Sequence, residues 1–302
     1  MSVLRLARIA LNATDPERLA GFYREALGFT DGEAPPASDF SAVTGLSGAR
    51  TVPLRLGDQS LDLVSVTPAG RPYPGDVPGF SRLFQHCAII VSDMAAACAR
   101  LSSHPGRRLI STEGPVRLPA SSGGVTAFKF RDPEGHPLEL LAFPPQAMPE
   151  TWRGREASGP CLGVDHSAIS VADTARSVAF YESLGLRVAS RSLNTGPEQA
   201  RLDAVADPVV EVTGLGFPDG RPPHVELLCY RGSPSRSAPA LAVNDIAATR
   251  LVIAMTDGDL LARICALHAG HLLSPGPVPR PGGGSDAVLR DPDGHWLWLT
   301  AE

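Results

Sequence analysis

Apolar and polar positions along this chain run through the same succession of periods four times. Each pass begins with a strand-like stretch, turns to a helical period, and then returns to strand-like alternation. The first pass opens with Val3 to Leu11 as a strand. Thr14, Asp15 and Pro16 then signal a helix start, because a side-chain oxygen can cap the first turn and proline suits it. Leu19, Phe22, Tyr23, Ala26 and Leu27 make the apolar face of that helix, and Gly28 ends it. Strands Val52 to Leu56 and Ser60 to Val66 follow. The second pass has strand Gln85 to Val91, helix Met94 to Leu101, and strands Val125 to Arg131 and Pro137 to Ala142. Between the last two lies Asp132-Pro133-Glu134-Gly135, where proline presets φ and glycine supplies a positive φ. The third has strand Val164 to Val171, a helix capped by Asp173 or Thr174 with a stripe of Ala175, Val178, Ala179 and Leu184, and a closing strand His224 to Tyr230. The fourth has strand Arg250 to Thr256, helix Asp259 to His268, and closing strand Trp296 to Thr300.

Short sequence echoes tie the passes together. Phe22-Tyr23 before Leu27-Gly28-Phe29 returns as Phe180-Tyr181 before Leu184-Gly185-Leu186, and Arg131-Asp132-Pro133-Glu134-Gly135-His136 returns as Arg290-Asp291-Pro292-Asp293-Gly294-His295. The chain is therefore read as an internal repeat of four modules. Periodicity lapses between Pro144 and Pro160, which divides the chain into a first domain at 1–145, a linker at 146–160 and a second domain at 161–302.

With 302 residues, 43% of them hydrophobic and 20% charged, the chain has the make-up of a soluble globular protein with room for two cores. Lys+Arg 27 against Asp+Glu 32 leaves no basic surplus, so nucleic acid is not an expected partner. The five cysteines have no C-x-x-C spacing and read as thiols in a reducing compartment. Arg5 and Arg8 interrupt the first apolar run, so no signal peptide is expected; no run reaches 18 apolar residues, so no membrane span is expected, and the cytoplasm is the default location.

Two histidines and two glutamates hold matching places in the central modules. His86 and His166 stand early in an opening strand; Glu139 and Glu226 stand in a closing strand among Leu138, Leu140, Val225 and Leu227. A carboxylate on a half-buried strand needs a partner, and a metal ion is a good one. The plain alternatives are core histidines bonded to carbonyls and an exposed glutamate on an alternating strand. His224 shares a strand face with Glu226 and is expected at the sheet edge or beside the ligands. His136 and His295 follow turn glycines and read as turn or rim residues. Gly282-Gly283-Gly284 is a loop, since no P-loop pattern follows it.

The run Asp165-His166-Ser167-Ala168-Ile169-Ser170-Val171-Ala172-Asp173, with Phe180-Tyr181, Leu184-Gly185 and Asp132-Pro133-Glu134-Gly135 leading to Glu139, resembles the vicinal oxygen chelate superfamily. That superfamily includes glyoxalase I, extradiol dioxygenases and bleomycin-resistance proteins. The resemblance covers nearly the whole chain. It implies an α+β fold of four βαβββ modules paired into two open, curved mixed sheets, with helices on the outside and a metal in the cup. Ligands in this superfamily come from the first and last strand of a module. The first-strand position holds Arg8, His86, His166 and Arg250, and the last-strand position holds Asp62, Glu139, Glu226 and Trp298. A guanidinium offers no electron pair, so only the central modules keep donors. Pairing of the second module with the third, and of the first with the fourth, is therefore expected. The alternative is sequential pairing, with Asp62, His86 and Glu139 around the ion.

By resemblance, His86, Glu139, His166 and Glu226 would hold one divalent ion, Fe, Mn, Co, Ni or Zn. In glyoxalase I chemistry the metal stabilises an enediolate while a ligand carboxylate moves a proton, so Glu139 or Glu226 would be the base. The expected function is a metal-dependent glyoxalase-like enzyme acting on a small oxygen-chelating substrate by proton transfer, isomerisation or lyase chemistry, as monomer or homodimer. The alternatives are an Fe(II) extradiol-type ring-cleaving dioxygenase and a non-catalytic, bleomycin-resistance-like binder. Extradiol enzymes carry a tyrosine where this chain has Lys129, which weakens that reading. Lys129 would face the cup, where it would bind an anionic substrate group or a ligand carboxylate.

Overall fold

The structure, a computed structural model, describes residues 4–75, 77–233 and 240–302. The opening strand expected from Val3 is described from Leu4; Val3 itself lies outside the described residues. Two curved mixed sheets account for the strands. The nine-stranded sheet joins the second and third modules through their opening strands, Gln85–Val91 against Cys161–Ser170, antiparallel. In the eight-stranded sheet, Leu4–Asn12 of the first module pairs antiparallel with Arg250–Met255 of the fourth. Each half of the chain thus gives one module to each sheet, and the pairing is the crossed one.

Within each module the closing strand lies parallel to the opening strand: Pro137–Ala142 on Gln85–Val91, and His224–Tyr230 on Cys161–Ser170. Parallel neighbours need a crossover connection, and the helix of each module supplies it. Those helices, Pro16–Leu27, Met94–Ser102, Thr174–Ser183 and Gly258–Leu267, each start at an aspartate whose carboxylate accepts a backbone N–H of the first turn: Asp15, Asp93, Asp173 and Asp257. Alternation along the strands sends Cys87, Ile89, Leu138, Leu140, Ile169, Val225 and Leu227 to the helix-covered face. There one continuous core joins both sheets. The opposite, concave face receives His86, Glu139, His166 and Glu226.

Two short helices that the sequence pattern did not reveal reach the concave faces. Phe40–Thr44 brings the Phe40 ring onto Trp298, stacked at 5.9 Å. Gly196–Asp203 brings Leu202 into the apolar cluster with Ile90, Ala127 and Leu141. Neither shows a full amphipathic stripe, since one is five residues long and the other is polar along most of its length.

The two Asp-Pro-x-Gly turns lock modules of the same half together. Asp132, fully buried, accepts the backbone N–H groups of Glu134, Gly135 and His136 at 2.8–2.9 Å. It also accepts the Tyr23 hydroxyl at 3.1 Å and pairs with His136 Nδ1 at 2.8 Å. Asp291 repeats the arrangement with the Tyr181 hydroxyl at 3.1 Å. The rim placement expected for His136 and His295 does not hold. Both are buried, with Nε2 facing the carbonyls of Ile246 at 3.2 Å and Ser170 at 2.9 Å. Asp132 draws the His136 imidazole inward, because a buried carboxylate gains from every donor within reach, while the His295 imidazole is met by the Ser170 carbonyl. Replacing Asp132 with alanine leaves several buried donors unpaired. It should lower unfolding free energy by about 3 kcal/mol or more in urea titration; a loss under about 1 kcal/mol contradicts this account of the turn.

Candidate metal centre

The site is set by strand register. His86 lies opposite Ala168, and His166 opposite Ala88, so the two histidines sit diagonally across the antiparallel pair with an alanine facing each. Glu139 lies beside Ala88, and Glu226 beside Ala168, on the parallel neighbours. Small side chains at 88 and 168 leave the middle of the cup to the four polar groups. The imidazole rings stand 5.7 Å apart. His86 Nε2 is 3.2 Å from Glu139 Oε2, and His166 Nε2 is 3.8 Å from the same oxygen. Glu226 Oε2 lies 3.5 Å from His166 Nε2. His86, Glu139 and His166 thus form a tight buried triad, with Glu226 joined to it through His166.

Donors held about 2.1 Å from one ion lie about 3 to 3.5 Å apart, which is close to these separations. Two buried imidazole nitrogens, His86 Nδ1 and His166 Nε2, have no hydrogen-bond partner. Such a vacancy costs about 1–3 kcal/mol unless something fills it. His166 Nε2 is the one turned toward both glutamates. The residues therefore fit a divalent ion of the nitrogen- and oxygen-binding kind.

The electrostatics are asymmetric. Burial raises the Glu139 carboxyl, but Lys129 and His86 outweigh it and hold the group at about 2. Glu226 is likewise raised by burial and brought to about 2 by His166 and His224. Burial lowers His166, yet Glu226, Asp165 and Glu139 lift it to about 9. His86 is lowered, first by burial and then by Lys129. One histidine is therefore neutral and the other charged at neutral pH, with both carboxylates ionised.

Lys129 is deeply buried, and its neighbours are the protein's own carboxylates. Nζ is 2.8 Å from Asp203 Oδ1 and 4.0 Å from Glu139 Oε1. Asp203, at the end of the short helix Gly196–Asp203, also accepts Gln199 Nε2 at 2.7 Å and the Tyr230 hydroxyl at 2.8 Å. The place equivalent to Lys129 in the third module is Gly214, opposite Glu226 as Lys129 is opposite Glu139. A lysine covers one glutamate and a glycine leaves the other open: the Glu139 side chain is 7% exposed and Glu226 21%. His224 stands at this open side, its Nε2 3.4 Å from Glu226 Oε1.

Asp165 was missed by sequence reasoning. Its carboxylate accepts the Trp152 indole N–H at 2.8 Å and faces His166 Nδ1 at 3.0 Å. Strict alternation puts neighbours on opposite faces, so Asp165 should point away from His166. A register shift between Val164 and His166 turns it back.

The corresponding place in the other sheet holds no donor set. Arg8 Nη1 pairs with Asp62 Oδ1 at 2.9 Å. Arg250 is buried; burial brings it down to about 10, and its Nη1 donates to the carbonyls of Val243 and Ala248. Trp298 lies under Phe40. That cup is filled by an ion pair and apolar packing.

No curated protein matches the chain. Among solved structures, glyoxalase I from Zea mays superposes with a TM-score of 0.64 at 18% identity, over 99% of this chain and 93% of that one. A putative dioxygenase from Bacillus subtilis subsp. subtilis str. 168 gives 0.57 at 13% identity, over 99% and 85%. At such identities these likenesses speak for the fold alone. The family model described as Glyoxalase/Bleomycin resistance protein/Dioxygenase superfamily matches twice, over residues 5–140 and 163–299. With four βαβββ modules, two cupped sheets and both halves matched, the chain belongs to the glyoxalase/bleomycin resistance/dioxygenase, or vicinal oxygen chelate, superfamily.

Proposed function

We propose that the protein is a metal-dependent enzyme of glyoxalase type that shifts a proton within a small substrate bound through two oxygens. The observation that carries this reading is the convergence of His86, Glu139, His166 and Glu226 in one cup, with His166 Nε2 buried, without a hydrogen bond and turned toward both carboxylates. A divalent ion, if bound, would be held by these side chains and would supply Lewis-acid polarisation of substrate oxygens. The identity of the ion among Fe, Mn, Co, Ni and Zn is left open by a donor set of imidazoles and carboxylates.

The two glutamates take different roles in this proposal. Glu139 is a fixed ligand, since Lys129, itself held by Asp203, stands beside it in a buried network. Glu226 is the base. It sits at the accessible side beside Gly214, where no lysine crowds it, and it is ionised at neutral pH. Glu226 would take a proton from a carbon next to a substrate carbonyl and return it to the neighbouring carbon. Lys129 then serves the ligand carboxylate, and the substrate anion is left to the open side.

Three outcomes test this. Purified protein should retain one divalent ion per chain. His86→Ala and His166→Ala should each lose it and Arg8→Ala should keep it, as read by elemental analysis; retention in both histidine variants rejects the site. Loading the metal-free protein at pH 7.5 should release about one proton per ion, because His166 Nε2 must give up its proton. The release should fall toward zero above about pH 9, as buffers of different ionisation enthalpy reveal in calorimetry. Glu226→Gln should cut turnover of an α-ketoaldehyde–thiol adduct by about 10²–10⁴-fold with the fold intact, while Glu139→Gln should chiefly cost metal. Oxygen uptake on catechols by the iron-loaded protein, without isomerase turnover, would favour ring cleavage instead.

A further inference from the structure

Trp152 belongs to the segment 146–160 between the two halves, a stretch of prolines, glycines and polar residues with no obvious task beyond connection. Yet its ring is buried to 2% exposure, under the Arg155 guanidinium at 4.9 Å. It lies so close to the strand that a Cβ added at Gly163 would meet it at 2.5 Å. Its one polar atom, Nε1, donates to Asp165 Oδ1 at 2.8 Å, while Asp165 Oδ2 faces His166 Nδ1 at 3.0 Å. His166 Nε2, at the far side of the same ring, is the buried nitrogen without a partner that faces Glu139 and Glu226.

We propose that Trp152 and Asp165 are positioning residues that hold the His166 proton on Nδ1 when an ion binds, so that Nε2 is the nitrogen that gives up its proton and becomes the donor atom toward the cup. This rests on the metal-site reading above and adds a device to it. The argument is one of hydrogen-bond polarity. An indole N–H only donates, so it fixes one end of the residue at 165 as an acceptor. Only a carboxylate accepts at both ends, and its second oxygen then requires a donor from His166. The nitrogen that bears the proton is thereby set by the partner of the other nitrogen.

The first module supplies an internal comparison. Its opening strand has the same register shift, between Leu6 and Arg8, so that Ala7 and Arg8 stand where Asp165 and His166 stand in the third. There the shift brings forward a methyl group next to a residue that cannot ligate. The backbone irregularity is common to both modules, whereas the aspartate, its tryptophan and the histidine occur together only where the donors converge.

Asparagine at 165 provides the discriminating test. With Trp152 present, the amide oxygen is claimed by the indole, the amide NH2 turns to Nδ1, and the His166 proton is driven onto Nε2, the donor atom. With Trp152 replaced by phenylalanine, the amide is free to flip and present its oxygen to Nδ1. Zinc affinity, measured by competition with a chromophoric chelator, should fall about 100-fold in Asp165→Asn, within the range for losing a histidine's outer partner. It should change less than about threefold in Trp152→Phe, and recover about tenfold in Trp152→Phe/Asp165→Asn over Asp165→Asn alone. A merely structural role predicts a double variant no tighter than the single one. Long-range 1H–15N spectra of the zinc-loaded natural sequence should show the His166 proton on Nδ1, a readout that needs no variant to fold. A proton on Nε2, an Asp165→Asn affinity within twofold of the natural protein, or a double variant without recovery overturns the proposal while leaving the metal site standing. Failure of the natural protein to bind zinc, cobalt or nickel at all overturns both.

Discussion

The antiparallel pairing of Gln85–Val91 with Cys161–Ser170 is the constraint on which the rest depends. Hydrogen bonds along that pair fix the register, and side-chain alternation then leaves no freedom about which residues face the cup. A slip of one residue would send both histidines into the apolar core and bring Cys87 and Ser167 into their place. The pairing is held at a distance by the Asp-Pro-x-Gly turns. Tyr23 on Asp132 and Tyr181 on Asp291 tie consecutive modules together while the sheets tie crossed ones. The chain is thus cross-braced: sheets join modules from different halves, and buried hydroxyl–carboxylate bonds join modules within a half.

The two sheets share this scaffold and differ in what fills their cups. In the eight-stranded sheet, Arg8 is neutralised by Asp62, and Trp298 is covered by Phe40. Burying an ion pair costs desolvation, and at Asp62 burial raises the carboxyl despite the 2.9 Å contact with Arg8. In the nine-stranded sheet the polar groups are not mutually satisfied in the same way. Charges of both signs crowd together, yet two imidazole nitrogens stay unpartnered. Asp286 Oδ1, Arg290 Nε and Trp296 Nε1 in the eight-stranded sheet are buried without hydrogen bonds too, so the cups differ in donor chemistry: among the described residues, imidazoles and carboxylates converge in the nine-stranded one.

Much of this was legible in the residue order. The repeated succession of strand, helix and strands, the two Asp-Pro-x-Gly-His turns and the echo of Phe22-Tyr23 in Phe180-Tyr181 outlined four modules. The absence of electron-pair donors at Arg8, Arg250 and Trp298 favoured pairing the central modules. What escaped the sequence has physical causes. Asp165 was hidden because a register shift breaks the alternation on which face assignment relies. Trp152 was hidden because a segment rich in proline and glycine carries no periodic signal. The tie from Lys129 to Asp203 depends on a short polar helix whose place in the cup is set by Leu202 and tertiary packing alone. His136 and His295 follow turn glycines, yet they are buried against Asp132 and the Ser170 carbonyl, partners that local sequence does not reveal.

In this arrangement the two halves of the chain would share a single ion. X-ray absorption at the metal edge of the cobalt- or zinc-loaded protein tests it most directly. One ion per chain is expected in a nitrogen- and oxygen-only shell, with the multiple-scattering signature of two imidazoles, reduced to one in either single histidine variant under forced loading. A shell containing sulfur, or one whose imidazole count is unchanged by removing His86 or His166, would contradict it.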